Sequence, residues 1–156
     1  ALIAVNSLGD VIDHNTGQPV AGARTEDGKS LLDTRRALLR GELPKPLLAG
    51  TNTTIGVIAT DAVLTKVQAN RLANVAHDGL ARAINPVHTM SDGDTLFALA
   101  TGRVPLEGNA PGMTVLSTMA AEAVAIATLR AVHAARAVTV GELHIPCAAD
   151  LGAARG

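Results

Sequence analysis

Apolar positions fall into short β-rich runs near the start and middle of the chain and into helical spacing over two longer stretches. Ala1 to Val5 is an apolar run closed by Asn6-Ser7-Leu8-Gly9-Asp10, whose turn formers predict a strand followed by a turn. Val11-Ile12 predicts a second short strand. Asp13 to Pro19 has turn chemistry throughout, with His14 solvated, and Ala21 to Lys29 shows no periodicity and reads as surface loop. Ser30 then caps a modest amphipathic helix carrying Leu31, Leu32, Leu38 and Leu39 and ending at Gly41. Glu42 to Asn52 holds Pro44, Pro46 and Gly50, which breaks any regular element and predicts an exposed connection.

From Thr53 to Ala59 β-branched residues dominate and both alternating faces are apolar, the pattern of a central strand covered on two sides. Thr65-Lys66-Val67-Gln68 has the form of a capping box. Val67, Leu72, Val75, Ala76, Leu80 and Ile84 follow at helical spacing up to Asn85-Pro86, with Gly79 marking close packing against a neighbour. Val87 to Asp94 is polar. Thr95 to Thr101 reads as another buried strand ended by Gly102, and Arg103 to Gly112 as a loop long enough to lie over an active site. Thr114 to Arg136 is a long Ala-rich helix. One short strand precedes Pro146, and Ala148 to Gly156 is a fraying tail.

At 156 residues and 47% apolar composition the chain suffices for one domain of α/β class. Phe97 is the sole aromatic residue, so the core rests on closely packed Ala, Val, Leu and Ile. A net charge of −1 with scattered basic residues gives no reason to expect nucleic acid or an anionic membrane as partner. Cys147 stands alone, which excludes an intrachain disulfide framework or a thiolate zinc site and suits a cytoplasmic protein. No uninterrupted apolar run reaches the roughly 18 residues of a membrane span. The chain opens on Ala1 in mid-strand, as one part of a processed protein does.

Two stretches carry candidate chemistry. Thr53 is a hydroxyl residue at the mouth of a buried strand, preceded by Asn52 in a loop. That is what an N-terminal-nucleophile hydrolase requires, although a turn leading into a strand has the same composition. Asp92-Gly93-Asp94 puts two carboxylates on one side of an extended backbone, where they could share a proton or orient a nucleophile. A solvated acidic turn fits the same residues, and a metal site of His88, Asp92 and Asp94 lacks any recognised ligand spacing. His77 and Asp78, consecutive on a helix, point about 100° apart and do not form a triad. Gly-x-Ser-x-Gly, phosphate-loop and dinucleotide motifs are absent from the sequence.

Three segments carry a resemblance: Asn52-Thr53-Thr54-Ile55-Gly56-Val57-Ile58-Ala59-Thr60-Asp61, Ala76-His77-Asp78-Gly79-Leu80-Ala81-Arg82-Ala83-Ile84, and His88-Thr89-Met90-Ser91-Asp92-Gly93-Asp94-Thr95. Together they resemble the DmpA-like family, which includes L-aminopeptidase/D-esterases, β-peptidyl aminopeptidases and 6-aminohexanoate-oligomer (nylon-oligomer) hydrolases. The resemblance implies an αββα sandwich, no cofactor, and self-cleavage between Asn52 and Thr53 into residues 1–52 and 53–156. The pieces stay together and assemble as an oligomer of processed pairs, a tetramer.

By the same resemblance Thr53 is the nucleophile and, through its freed α-amino group, the base. Asp92 and Asp94 match the assisting acidic pair, and Asn6 matches the amide donor to the oxyanion. Family members carry a further N-terminal region with a catalytic lysine that nothing here matches. The resemblance therefore implies the C-terminal portion of a precursor whose N-terminal part is its partner. The Asn-Thr junction and the Asp-x-Asp pair look more like the nylon-oligomer hydrolases than the aminopeptidases. The implied substrate is a small peptide or amide oligomer, and the alternative is a non-catalytic member acting as scaffold or small-molecule binder.

Overall fold

The computed structural model describes residues 1–42 and 52–153. The first strand, β1 (Leu2–Ala4), is followed by β2 (Asp10–Asp13) and β3 (Gln18–Ala21) and by the short helix α1 (Thr34–Leu39). Next come β4 (Ile55–Ala62), α2 (Lys66–Ala83), β5 (Ile84–Asn85), β6 (Thr95–Val104), α3 (Ala110–Ala134), β7 (Val138–Val140), β8 (Leu143–Ile145) and α4 (Asp150–Ala153). Three sheets result, with strand orders β1-β4-β6, β3-β2-β5 and β7-β8. The mixed α/β class expected from the sequence holds.

In the first sheet β1 runs antiparallel to β4, and β4 runs parallel to β6 with Ile55 opposite Thr95 and Ala59 opposite Leu99. The crossover from β4 to β6 is α2, as parallel pairing demands. Its Thr65 hydroxyl caps the Gln68 N–H while the Gln68 side chain returns to the Thr65 N–H at 2.8 Å, so the capping box forms as read. Leu72, Ala76 and Leu80 on α2 are fully buried with Val124 of α3, and Ile3, Ile58 and Leu96 close the core from the sheet. Gly79 is where the helices meet: a β-carbon there would lie 2.2 Å from the Ala121 carbonyl oxygen. The expected close approach is real, and only a residue without a side chain permits it.

Several expectations need correction. The segment read as loop contains β3, in which Pro19 pairs opposite Ile12; β3 is an edge strand, where a missing N–H is tolerated. His14 is not solvated: its side chain is only 7% exposed and lies 3.6 Å from Glu122. Asp33 rather than Ser30 caps α1, accepting the Arg36 N–H at 3.0 Å, because the Ser30 carbonyl is held by the Thr25 N–H and an Arg24–Leu31 bridge keeps that stretch extended. Gly102 does not end β6. It adopts φ 69° at an irregularity in the ladder, and pairing resumes at Ala62 and Val104. Helix α3 begins at Ala110 because Pro111 sits in its first turn, where its missing N–H costs nothing. The tail forms two strands rather than one, turning at Gly141 with φ 60°. The Pro44, Pro46 and Gly50 connection lies outside the described residues, apart from its end residues Glu42 and Asn52.

The largest departure concerns burial. Side chains of β1, β4 and β6 that face α2 and α3 are covered, but the opposite face is not. Leu2, Ile55, Phe97 and Leu99 are exposed there at 73, 48, 62 and 54%. Strand register puts them together, with Leu2 opposite Val57 and Val57 opposite Phe97. The apolar pattern on both faces is real, yet the described residues supply a layer for only one. Helix α3 is long and apolar enough by length and composition to cross a membrane, but it buries Ala120, Ala121, Val124, Ala125 and Thr128 against the rest of the fold.

Candidate active site

The N-terminal ends of the two parallel strands bring the candidate residues together. An isolated parallel bridge joins Asn52 to Asp92, three residues before the β4–β6 ladder begins at Ile55 and Thr95 and in the same register. Thr53 therefore faces Gly93 across the pair. The Gly93 N–H donates to the Asn52 carbonyl at 2.9 Å, and the Thr53 hydroxyl lies 2.7 Å from that same oxygen. A β-carbon on Gly93 would sit 2.8 Å from Thr53 Oγ1, so the glycine makes room for the hydroxyl. The Thr53 N–H donates to the backbone carbonyl of Asn6 at 2.7 Å, which brings residue 6 to the site by its main chain.

The two carboxylates have separate tasks. Asp92 Oδ1 accepts the Leu8 N–H at 3.2 Å, while Oδ2 accepts the Thr89 N–H at 3.1 Å and the Thr89 hydroxyl at 2.7 Å. Asp92 thus ties the turn after β1 to the Thr89–Asp92 turn. Asp94 Oδ1 accepts the Thr54 N–H at 2.9 Å, and Oδ2 meets His88 Nδ1 at 2.9 Å and the His88 N–H at 3.3 Å. All four oxygens are engaged by donors other than the neighbouring carboxylate, so proton sharing within the pair is not how they are used. Among the described residues no group of three or more His, Cys, Asp or Glu is arranged to hold a metal ion, the set His88, Asp92 and Asp94 included.

In a regular parallel ladder the Thr54 N–H would donate to the Gly93 carbonyl. Here the Asp94 carboxylate takes that donor and the Thr95 hydroxyl occupies the Gly93 carbonyl at 3.1 Å, while the Thr95 N–H still reaches the Thr54 carbonyl at 3.0 Å. The nucleophile candidate is thus flanked by one ladder bond on each side and by a carboxylate in place of a third. Thr54 is fully buried, and its Oγ1, like Asn52 Nδ2, has no hydrogen-bond partner among the described residues.

The Arg103–Gly112 loop does not cover Thr53. Its part outside β6 and α3, residues 105–109, follows the end of β6, whereas Thr53 and Gly93 precede the beginnings of β4 and β6; ten residues of strand, about 30 Å, intervene. The loop instead borders an apolar groove with Val115, Leu116 and Met119 of α3. Sequence reading weighed His88 only as a metal ligand and named neither Gly93 nor Thr89 as a site residue. The signal for Gly93 was its place between two carboxylates; that for His88 was its position six residues before Asp94, which no periodicity marks.

Residues 1–145 match the model of peptidase family S58. An uncharacterized aminopeptidase of Mycobacterium tuberculosis (strain H37Rv) is 42% identical over 147 residues, covering 92% of this chain and 43% of that protein. One from Mycobacterium leprae is 45% identical over 104 residues, 67% of this chain and 29% of the relative. The 6-aminohexanoate-oligomer endohydrolase of Paenarthrobacter ureafaciens is 33% identical over 109 residues, 68% of this chain and 30% of the enzyme. The chain spans less than half the length of these relatives. Because the match runs through both the strand after Thr53 and the loop holding Asp92 and Asp94, and takes in nearly the whole chain, the chain belongs to peptidase family S58.

Proposed function

We propose that this chain is the nucleophile-bearing part of an autoprocessing hydrolase that cuts amide bonds of small peptides or amide oligomers. The observation that carries the reading is the Thr53 hydroxyl 2.7 Å from the Asn52 carbonyl oxygen, with the Gly93 N–H on the same oxygen. Thr53 Oγ attacks the Asn52 carbonyl carbon, and the Gly93 N–H stabilises the negative charge that grows on the oxygen. The C–N bond breaks as the nitrogen takes a proton, leaving an ester on Thr53. Water then hydrolyses that ester, giving an Asn52 carboxylate and restoring the Thr53 hydroxyl beside the α-amino group freed in the first step. With a reference pKa of about 7.7 to 8.0, that amine serves as base for its own hydroxyl in later turnovers.

In those turnovers Thr53 attacks a substrate amide while the Asn6 side chain donates to the oxyanion. Asp92 holds the turn that carries Asn6 near the new terminus, and Asp94 seats the backbone just after the nucleophile. The relatives named aminopeptidase and oligomer endohydrolase support an amide-cleaving chemistry for the intact protein.

The uncovered apolar face of β1, β4 and β6 supports a second sheet layer, and hence the αββα sandwich, contributed by the N-terminal part of the same precursor. Covering Leu2, Ile55, Phe97 and Leu99 would contribute about 1–2 kcal/mol each, enough to keep cleaved pieces associated. The processed pairs then assemble further, as a tetramer. The decisive experiment is the mass of the denatured full-length protein. A fragment beginning at Thr53 is expected, and its loss in Thr53→Ala, with no turnover of aminoacyl anilides or 6-aminohexanoate oligomers. Intact parent chain that never yields the fragment would refute the reading.

A further inference from the structure

The Asp94 side chain is 2% exposed, and a carboxylate so buried must be matched by donors. Besides the Thr54 N–H, His88 meets it twice. His88 presents both its backbone N–H, at 3.3 Å, and its ring Nδ1, at 2.9 Å, to Asp94 Oδ2. To do so His88 adopts φ 55°, a left-handed backbone that costs a non-glycine residue about 1 kcal/mol and is kept only where surroundings enforce it. The ring is fixed from its far side as well. His88 Nε2 lies 3.3 Å from Nδ1 of His77, with ring centroids 4.8 Å apart. His77 stands on α2, anchored by Leu72, Ala76 and Leu80 in the core.

Proton placement in this chain is constrained. His88 must carry a proton on Nδ1 to meet the carboxylate, and only one proton fits between the two rings. Burial first, and the His88 charge second, hold the His77 pKa below its ordinary value, opposed by Asp94 and by Asp78 on α2. The neutral imidazole is thereby favoured at His77, and the helix α2 is linked through two imidazoles and a carboxylate to the Thr54 N–H beside the Thr53 hydroxyl.

We propose that His88 is a positioning residue for the hydrolase: it holds the Asp94 carboxylate, and through it the backbone adjoining Thr53, in the geometry that self-cleavage and turnover require. This rests on the function proposed above. The test uses the full-length protein with His88→Gly and His88→Asn, both of which accept the left-handed backbone, so that added backbone strain cannot account for a loss of rate. Asparagine supplies an N–H close to where Nδ1 stands; glycine supplies none.

His88→Gly is expected to slow both self-cleavage and kcat by about 10- to 100-fold with KM for a small amide changed less than about 2-fold, and His88→Asn to recover most of that loss. Parental rates in His88→Gly, or a His88→Asn protein as slow as His88→Gly, would overturn the assignment. If His88→Gly does not fold, the decision passes to His88→Asn against the isosteric His88→Asp, which presents an acceptor where Asp94 needs a donor; equal rates overturn it. A parent that never yields the Thr53 fragment brings down the proposed function itself. A processing parent with an unresponsive His88 series brings down this assignment alone.

Discussion

Gly93→Ala tests the site more sharply than any change to a charged residue, because it adds one methyl and removes no hydrogen bond. The added carbon would stand 2.8 Å from Thr53 Oγ1, whereas ordinary contact begins at 3.4 Å, so the hydroxyl must withdraw by about 0.6 Å. Misplacing a reacting group by about 1 Å can cost on the order of 100-fold in rate, which scales here to roughly 10- to 30-fold, or about 1.4–2 kcal/mol of barrier. Stability moves the other way or not at all. Gly93 is not among the glycines with a left-handed backbone, so alanine is conformationally allowed and restricts the unfolded chain by about 0.4–1 kcal/mol. The assay is the time course of the Thr53-initiated fragment, by mass, beside a thermal melt of the same sample. Adding Thr53→Ser should restore part of the lost rate, since removing the threonine methyl lets the hydroxyl rotate clear. Self-cleavage of Gly93→Ala at the parental rate would refute the reasoning, and so would a slow variant that Thr53→Ser leaves unchanged.

Three further outcomes follow from the same structure. Gly79→Ala sets a β-carbon 2.2 Å from the Ala121 carbonyl oxygen and 2.8 Å from Val124 Cβ, so overpacking of about 1–3 kcal/mol should outweigh the roughly 1 kcal/mol gained in helix propensity; denaturant unfolding reads the difference. Thr65→Ala removes the capping box of α2 and should lower stability by about 1 kcal/mol while leaving the self-cleavage rate unchanged, since the cap lies outside the Thr53 network. Because the folded state holds the His77 pKa below 6.5, the unfolded chain binds more protons in the window beneath that value. Stability should therefore fall as pH drops through it, and His77→Gln should flatten that part of the melting-temperature profile.

Element type was legible wherever local chemistry decided it. The Thr65–Gln68 box fixes the start of α2, and Gly79, a poor helix former in mid-helix, already signals the close contact that α3 makes there. Where pairing partners decide, the sequence misled: Gln18–Ala21 contains a proline and reads as loop, yet an edge position makes it β3. The cap of α1 shifted from Ser30 to Asp33 because a tertiary bridge at Leu31 claimed the intervening residues. At the site, Asn52, Thr53, Asp92, Asp94 and Asn6 do converge, but the division of labour was not readable. Two carboxylates flanking a glycine look like a proton-sharing pair until the donors around them, Leu8, Thr89, Thr54 and His88, are in view, and two of those lie more than 30 residues away in the chain.

The contacts around Thr53 are those of a sheet adapted at one position. The Gly93 N–H that polarises the Asn52 carbonyl and the Thr95 N–H that holds the Thr54 carbonyl belong to the β4–β6 pairing, and Asp94 replaces the backbone acceptor between them. Alignment of the Asn52-Thr53 bond is then a consequence of register. The Gly93 N–H meets the Asn52 carbonyl only when β4 and β6 pair across the α2 crossover, so the self-cleavage proposed above would follow folding of the sheet. The same geometry governs what happens afterwards. Were the bond cut as proposed, the bonds from Thr53 N to the Asn6 carbonyl and from Thr54 N to Asp94 would hold the new terminus where the old bond stood. On the proposed reading one set of hydrogen bonds, the ladder and the Asp94 carboxylate together, would serve both reactions, first presenting the chain's own carbonyl to the hydroxyl and then leaving that position open to a substrate's.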